Sequence, residues 1–314
     1  MDDLRREWSI YRIRHFLKKN LHFLINTLKK VFAIRNYLIS INELKKNSIY
    51  REKHKEEVCF IIGNGISITE LEIETINRYY VFACNEIFYH KDFHKLRIDY
   101  YTVAEPYFGQ IFGSNYKTQT LNLYNEIDAH FKNKSTQLFF HITLKKLFKR
   151  NGVFIKKDLS YFNGRVFSSR KKSYIELDKG INFNQGALSF MISTAKYMGF
   201  KKVILLGCGF TFSPRMEFHF YARPVFQKSE NFNEQISEFA KKNNLSIKAI
   251  DENDNEITPI FTSPQKHDET YKLYELLNSL SEIDKFEIIN VHPLGFSSPI
   301  FNGFLWDDVK NKIL

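Results

Sequence analysis

Five short apolar runs follow one another along the chain, and each lacks the alternation of a half-exposed strand. They predict strands at Val58–Ile62, Tyr80–Cys84, Tyr100–Ala104, Lys202–Leu206 and Phe286–Val291. Continuous apolar runs separated by helical stretches are typical of parallel strands that are buried on both faces. The pattern therefore predicts an α/β fold with a Rossmann-like, mainly parallel sheet sandwiched by helices. Ligands of such sheets bind beyond the carboxyl ends of the strands.

The segments between these runs are assigned by helical periodicity and by turn residues. We expect helices at Gln185–Met198, Ser229–Lys242 and His267–Leu280, a helical stretch over 115–150, irregular chain over 154–174 and a short strand at Leu245–Ile250. No internal repeat is present. Phe (31) and Tyr (17) are abundant, whereas Gly and Pro are few, so the composition is that of a globular protein.

The basic residues are concentrated in the first 55 positions. Residues 1–55 hold fourteen Lys or Arg against five acids, a local net charge of +9, whereas the remaining residues hold 32 against 30. A groove for nucleic acid within the main domain is therefore disfavoured. We divide the chain into a basic amphipathic helical segment, 1–55, and an α/β domain, 56–314.

Apolar residues recur at helical spacing between Trp8 and Ile39. The lysine pairs 18–19 and 29–30 limit the apolar stretch to about nine residues, and a membrane span needs about 20. One reading is an interfacial helix on an anionic membrane surface. The other is a helix that packs on its own domain or on a second copy of the chain as a homo-oligomer.

Glycines and polar residues follow the first two predicted strands. Gly63-Asn64-Gly65 ends the first strand, and Ser67 begins a capping box that opens a helix. Such a turn either brings a phosphate or ribose to free N–H groups at a helix N-terminus or is simply a tight strand-to-helix turn. Asn85, after the second strand, is either a ligand for a hydroxyl group or a turn residue. Neither the dinucleotide fingerprint nor a P-loop is complete here.

Three polar residues nearer the C-terminus also have two readings each. His219 alternates with aromatic residues, so it is a substrate-contacting lid residue or a surface histidine. Arg223 is a clamp for a phosphate or carboxylate, or a solvated side chain. His292 follows the last strand, either at the site or buried and hydrogen-bonded.

The cysteines and acids give no metal pattern. Cys59, Cys84 and Cys208 lie in or beside apolar runs without metal-binding spacing, which favours a reducing cytoplasm. An enzyme that transfers pyrophosphate would need Mg²⁺ and acidic ligands. The candidates for those ligands are Glu105, Asp251, Glu252 and Asp254, the last three in a predicted hairpin or loop.

Four motifs, in this order, resemble the bacterial CMP-sialic-acid-dependent sialyltransferases of glycosyltransferase family 42 and the related motility-accessory-factor-like glycan transferases. The motifs are Ile61–Ser67, Cys84–Tyr89, Asn184-Gln185-Gly186 with its small-residue helix up to Gly207, and Ile289–Pro293. The resemblance covers roughly residues 57–300. It implies a GT-A-like variant of the Rossmann-like fold with a lid, in which residues 56–314 form a nucleotide-sugar-binding catalytic domain. It also implies inverting transfer of sialic acid or a related nonulosonic acid from a CMP-activated donor without a metal or other cofactor.

The resemblance also implies roles for particular residues. His267 precedes Pro293 by 26 positions, close to the family's separation, and is the implied general base. Tyr221, after His219, is the substitute for the family's phosphate-assisting tyrosines, which are missing after Gly207. Asn182 stands near the position of a family arginine. The implied nucleotide-binding residues are Gly63, Asn64, Gly65, Ser67, Asn85, Asn184, Gln185, Gly186, Gly207 and His292.

The implied partners are a CMP-activated sugar, a glycan or lipid-linked oligosaccharide acceptor of lipopolysaccharide or capsule, and an anionic membrane. The implied location is cytoplasmic, peripheral on the inner face of the cytoplasmic membrane. Two alternatives stay open at this stage. One is a Mg²⁺-dependent diphosphokinase of the pterin type, and the other is a non-catalytic, membrane-associated glycan-assembly protein.

Overall fold

A computed structural model describes most of the central domain. It covers residues 40–65, 68, 71–103, 116–165, 175–182, 186–208, 249–250, 256–257, 275, 277, 286–291 and 301–313. The strands are β1 (Val58–Ile62), β2 (Tyr80–Cys84), β3 (Tyr100–Val103), β4 (Gln137–His141), β5 (Leu159–Phe162), β6 (Gly164–Arg165), β7 (Ile175–Glu176), β8 (Gly180–Asn182), β9 (Lys202–Leu206), β10 (Ala249–Ile250), β11 (Glu256–Ile257), β12 (Glu287–Val291) and β13 (Asn302–Phe304). The helices are α1 (Tyr116–Phe131), α2 (Lys145–Asn151), α3 (Ala187–Tyr197) and α4 (Trp306–Lys312).

Eight strands form one sheet in the order β13-β12-β9-β1-β2-β3-β4-β5, and every neighbouring pair is parallel. The predicted α/β class with a parallel sheet is therefore confirmed. Strands β6, β8 and β7 form a small separate sheet, and β10 pairs with β11 as an antiparallel hairpin. The predicted lid and the amphipathic segment up to Ile39 lie outside the described residues.

The two faces of the large sheet carry separate hydrophobic clusters, because side chains alternate along each strand. In β1, Phe60 and Ile62 belong to one cluster, with residues of α1, α2 and α4. Cys59 and Ile61 belong to the other, with most of α3. Helices therefore cover both faces, as expected for a sheet of continuous apolar strands.

Two predictions between the third strand and α3 are wrong. The stretch 115–150 contains β4 between two helices, and the stretch expected to be irregular contains β5 and β6. The apolar core of β4 is only Leu138-Phe139-Phe140, between polar residues. So short a run does not distinguish a strand from a turn of helix, and β4 forms because it pairs with β3 and β5 on both sides. The β13 strand and α4 were not predicted.

The chain enters the described part beside the edge strand β5. Residues 40–45 are helical, and a 3-10 helix follows at Lys46–Tyr50. The Asn47 Nδ2 group donates hydrogen bonds to the carbonyls of Tyr161, at 2.7 Å, and Leu177, at 3.1 Å. This segment covers a strand edge that would otherwise be exposed. Among the described residues, no helix combines the length and apolar character needed to cross a membrane.

Candidate functional site

The order of the strands creates a crevice at the carboxyl edge of the sheet. From β1 the chain first builds β2 to β5 on one side and then crosses to β9, β12 and β13 on the other. The loops after β1 and β9 therefore leave the sheet in opposite directions, which is the topological switch point where ligands of open α/β sheets bind. Gly63-Asn64-Gly65 and Gly207 occupy these two loops.

The glycines of these loops allow the two backbones to interlock. The amides of Gly63 and Gly65 donate hydrogen bonds of 2.8 Å to the carbonyls of Leu206 and Gly207, respectively. A Cβ at either Gly63 or Gly65 would lie 2.6 Å from the Gly207 oxygen. Gly207 has a φ of +65°, and a Cβ there would lie 2.2 Å from Ile68 Cγ2. These glycines are therefore required by loop packing, and the Gly63 and Gly65 amides are bonded within the protein.

Asn64 and Asn85 are brought together at the ends of the adjacent strands β1 and β2. Asn64 is 6% exposed, and its Nδ2 donates to the Cys84 carbonyl at 3.4 Å, one residue before Asn85. Asn85 has a φ of +49°, a left-handed conformation that asparagine tolerates better than most residues. Its amide donates to Thr102, and its carbonyl accepts from the Tyr101 hydroxyl. Asn85 is thus a turn residue, which was one of the two interpretations of its sequence position.

The side chain of Asn85 is not used by that turn. Its Oδ1 atom is buried and has no hydrogen-bond partner among the described residues. A buried amide oxygen without a partner costs about 1–3 kcal/mol, which a ligand that donates a hydrogen bond would recover. The turn reading and the ligand reading of Asn85 are therefore compatible, because backbone and side chain have separate tasks.

Gly186 places the N-terminus of α3 at the same edge. It is the N-cap of α3, and its carbonyl accepts hydrogen bonds from Ser189 Oγ at 2.9 Å and from the amide of Phe190 at 3.3 Å. The C-terminus of α3 leads through Gly199 into the amino end of β9. The N-terminus of α3 therefore lies at the carboxyl edge. All predicted site residues that the structure describes lie at this edge. They are Gly63, Asn64, Gly65, Asn85, Gly186 and Gly207.

Seven predicted site residues lie outside the described part of the chain. They are Ser67, Asn184, Gln185, His219, Tyr221, His267 and His292. Arg223, Glu105 and the acids at 251, 252 and 254 also lie outside it. Residues 275 and 277 are helical, and Leu277 is buried in the same cluster as α3.

Sequence reasoning missed three polar residues near this edge. Glu86, directly after Asn85, is 5% exposed. Asn290 of β12 is 2% exposed, and its Oδ1 has no hydrogen-bond partner among the described residues. His141 ends β4. An asparagine within an apolar run was the available signal for Asn290, whereas His141 lay in a stretch that was expected to be helical.

His141 and His90 are neutral histidines near the strand ends. Burial lowers the pKa of His141 to about 4. Its Nδ1 accepts a hydrogen bond from the Thr143 amide, which caps the 3-10 helix at Ile142–Leu144. Burial also lowers the pKa of His90, which hydrogen-bonds the Ile68 backbone in the segment after β1. Both rings therefore have structural partners.

The two cysteines at the edge are poor nucleophiles. Burial is the main cause that raises the pKa of Cys84 well above its ordinary value, and Cys208 and Glu86 add to it. Burial likewise raises the pKa of Cys208 to about 12. Both thiols are protonated at neutral pH, and the thiolate is the reactive form. In the described part of the chain, no three His, Cys, Asp or Glu side chains are grouped so that they could hold a metal ion.

No family model, no curated protein and no solved structure matches this chain.

Proposed function

We propose that the chain is an inverting glycosyltransferase. It transfers sialic acid or a related nonulosonic acid from a CMP-activated donor to a hydroxyl group of a bacterial surface glycan. Support comes from the order of the four sequence motifs and from the position of two of them at the switch point of a parallel sheet.

One observation carries this proposal. Asn64 at the end of β1 bonds the Cys84 carbonyl, directly before Asn85 at the end of β2, and the buried Asn85 Oδ1 has no hydrogen-bond partner among the described residues. An amide oxygen accepts a hydrogen bond from a ribose hydroxyl or an exocyclic amine, and cytidine carries both. In the proposal this edge holds the nucleotide. Asn64 and Asn85 contact it, Gly63, Gly65 and Gly207 shape the floor, and Gly186 lies towards the donor.

The proposed reaction needs a base on the acceptor side and hydrogen-bond donors on the phosphate. His267 removes the proton from the acceptor hydroxyl, whose oxygen then attacks the anomeric carbon of the donor. The bond to the CMP phosphate breaks, and CMP leaves with the electron pair. Tyr221 offsets the charge that develops on that phosphate, and His219 contacts the substrate from the lid. Because attack and departure occur on opposite faces, the anomeric configuration inverts.

The proposed place of the enzyme is the inner face of the cytoplasmic membrane, where a lipid-linked or lipopolysaccharide acceptor is found. The concentration of basic residues in positions 1–55 supports this location. Each Lys or Arg near an anionic surface contributes about 1 kcal/mol to binding, so high salt should release the protein.

Thermal unfolding with added nucleotides tests the nucleotide part of the proposal. At about a hundred times its Kd, a ligand stabilises the folded protein by about 2.7 kcal/mol. We expect CMP without metal to raise the Tm by several degrees, and ATP with Mg²⁺ to leave it unchanged. Stabilisation by ATP with Mg²⁺ alone would favour the diphosphokinase. No stabilisation by either nucleotide would favour a non-catalytic assembly protein.

The His267→Ala variant tests the catalytic part. We expect turnover to fall by about 10²-fold or more, while CMP affinity changes little, because a general base acts on the acceptor hydroxyl rather than on the nucleotide. His219→Ala is the matched variant. If His219→Ala abolishes turnover and His267→Ala leaves it within a few-fold, the base is assigned to the wrong histidine.

A further inference from the structure

Helix α2 presents a row of cations on one side. Lys146, Lys149 and Arg150 are separated by three and four positions, so they share a helix face, and all three are exposed. Lys156 is exposed in the turn that follows. We call these four residues, together with Ile155, the α2 basic face.

An apolar side chain projects at the end of this face. Ile155 is 80% exposed, although its neighbours Val153 and Phe154 are only 4% and 3% exposed. A Cβ at Gly152, the C-cap of α2, would lie 3.3 Å from Ile155 Cδ1. Ile155 therefore stands beside the last turn of α2, which carries Lys149 and Arg150.

The turn that carries Ile155 is held firmly. Phe154 has a φ of +59°, and its amide donates a 3.0 Å hydrogen bond to Asp128 Oδ2 in α1. The amides of Val153 and Lys157 donate to Phe148 and Phe154. Because the buried neighbours fix the turn, Ile155 cannot fold back into the core without breaking these bonds.

Within the described part of the chain, the cations of this face have no acidic partners. Among the described residues, no carboxylate lies within 4.0 Å of Lys146, Lys149, Arg150 or Lys156. By contrast, Lys145 at the start of the same helix pairs with Glu43 at 2.7 Å. Of the nearby acids, Asp128 is bonded to the Phe154 amide, and Asp158 follows Lys157 in sequence.

Neutralising the helix C-terminus explains only part of this pattern. Lys149 and Arg150 lie in the last turn of α2, where cations interact favourably with the helix dipole. That effect falls off within one turn, so it does not account for Lys146 or Lys156. It gives no reason for an isoleucine exposed among cations.

We propose that the α2 basic face docks on an anionic lipid bilayer, with the cations at the headgroups and Ile155 inserted at the interface. Cations around an exposed apolar tip match such a surface in both charge and polarity. A nucleic-acid backbone would use the cations but not the isoleucine. The inference does not depend on nucleotide chemistry and goes beyond the proposed transferase, because the contact lies on the folded domain and not in residues 1–39.

The α2 basic face lies close to the point where the basic N-terminal segment, the other proposed membrane contact, joins the domain. The basic segment joins the described domain at residue 40, and Glu43 pairs with Lys145, the first residue of α2. Glu43, three residues after the start of the described chain, thus lies beside the same helix. Two basic contacts joined by a short span of chain bind one surface more tightly than either alone.

Sedimentation of the full-length chain with vesicles tests the charges. The vesicles contain phosphatidylserine in phosphatidylcholine, with pure phosphatidylcholine as the reference. Loss of one charge should lower the partition coefficient about five-fold, so the triple variant Lys146→Gln, Lys149→Gln, Arg150→Gln should lower it roughly 100-fold. The matched control, Arg78→Gln, Lys91→Gln, Lys201→Gln, removes the same charge from exposed positions elsewhere and should bind nearly as the unaltered chain. Equal weakening by both variants, or by neither, would overturn the proposal.

A fluorophore at position 155 tests insertion directly. The three native cysteines are buried, so Ile155→Cys can be labelled selectively with an environment-sensitive probe. We expect a blue shift on anionic vesicles and none on phosphatidylcholine. An unshifted probe, or a shift only with duplex DNA, would overturn the docking. The CMP thermal shift of the same protein reports the proposed function separately, so failure of one does not imply failure of the other.

Discussion

The amino and carboxyl edges of the parallel sheet differ in whether a buried polar side chain has hydrogen-bond partners within the described residues. At the amino edge, His54 is buried and bonded at both ring nitrogens: Nε2 lies 2.5 Å from the Tyr100 hydroxyl, and Nδ1 lies 2.7 Å from Glu57 Oε2. Its ring also stacks on Phe200 and contacts Tyr80. At the carboxyl edge, Asn85 Oδ1 is buried without a hydrogen-bond partner among the described residues.

This difference separates stability from binding. A buried polar group that is fully bonded adds rigidity, whereas one that is left without a partner lowers stability until a ligand supplies it. At the amino edge, the hydrogen bonds of His54 are therefore made within the protein and contribute to its stability. At the carboxyl edge, the loops of Gly63, Gly65 and Gly207 interlock and form what we call the glycine floor. The Asn85 amide oxygen there remains available to a ligand, as expected where a parallel sheet binds its ligand.

The largest expected effect is at the amino edge. His54→Ala removes a buried ring and leaves the Tyr100 hydroxyl without its partner, so we expect the free energy of unfolding to fall by about 3 kcal/mol. CMP affinity of the folded protein should not change. Urea unfolding with and without CMP measures both. Tyr100→Phe is the milder control and should cost about 1 kcal/mol. A loss of CMP affinity in His54→Ala would show that the edges are coupled.

The next largest effect is expected when Gly207 of the glycine floor is replaced. Gly207→Ala places a Cβ 2.2 Å from Ile68 Cγ2 in a left-handed conformation, so we expect a loss of about 2 kcal/mol or more in stability and a marked loss of CMP affinity. Gly152→Ala is a matched control: its φ is +67°, but its Cβ meets only Ile155 Cδ1 at 3.3 Å. It carries the same backbone strain without the clash. If both variants lose equal stability, interlocking of the loops contributes nothing.

A smaller effect separates the two tasks of Asn85. Asn85→Gly keeps the left-handed turn but removes the amide, so CMP binding should weaken by about 1–2 kcal/mol while stability changes little. Isothermal titration with CMP measures the affinity. Asn85→Asp, of the same shape, keeps an acceptor oxygen and should retain more of the binding than Asn85→Gly. Unchanged affinity in the glycine variant would leave Asn85 as a turn residue only.

The last prediction concerns pH. His141 has a pKa of about 4 when folded, against an ordinary value of 6.5. As the pH falls from 6.5 to 4, the unfolded chain binds a proton at His141 that the folded chain does not bind. The contribution of the neutral His141 to the free energy of unfolding is therefore fully present above pH 6.5 and is lost across this window. His141→Asn retains a side-chain cap and should lose stability less steeply there. Urea midpoints measured across the window compare the two proteins. Parallel pH profiles would contradict the assignment.

Much of the sheet could be predicted from the sequence because burial on both faces leaves a local mark. The apolar runs of β1, β2 and β9 match the observed strands residue for residue, and those of β3 and β12 differ by one residue at an end. The strand β4 was missed because its apolar core of three residues carries no period. The polar residues of the candidate site were predicted from their place after the strands. Asn290 was missed because it lies within a predicted strand, and His141 was missed because it lies in a stretch that was expected to be helical.

The sequence by itself determined the α/β class, the boundaries to within one residue of five strands that are buried at all or all but one of their positions, and the presence of glycines and asparagines at strand ends. These properties are local, since each depends on a few consecutive residues. Only the tertiary structure decided that the loops after β1 and β9 interlock, that Asn64 reaches the end of β2, and that His54 bonds Tyr100 across 46 positions. Such contacts depend on which distant strands become neighbours, and strand pairing is set by the packing of the whole sheet rather than by any one segment.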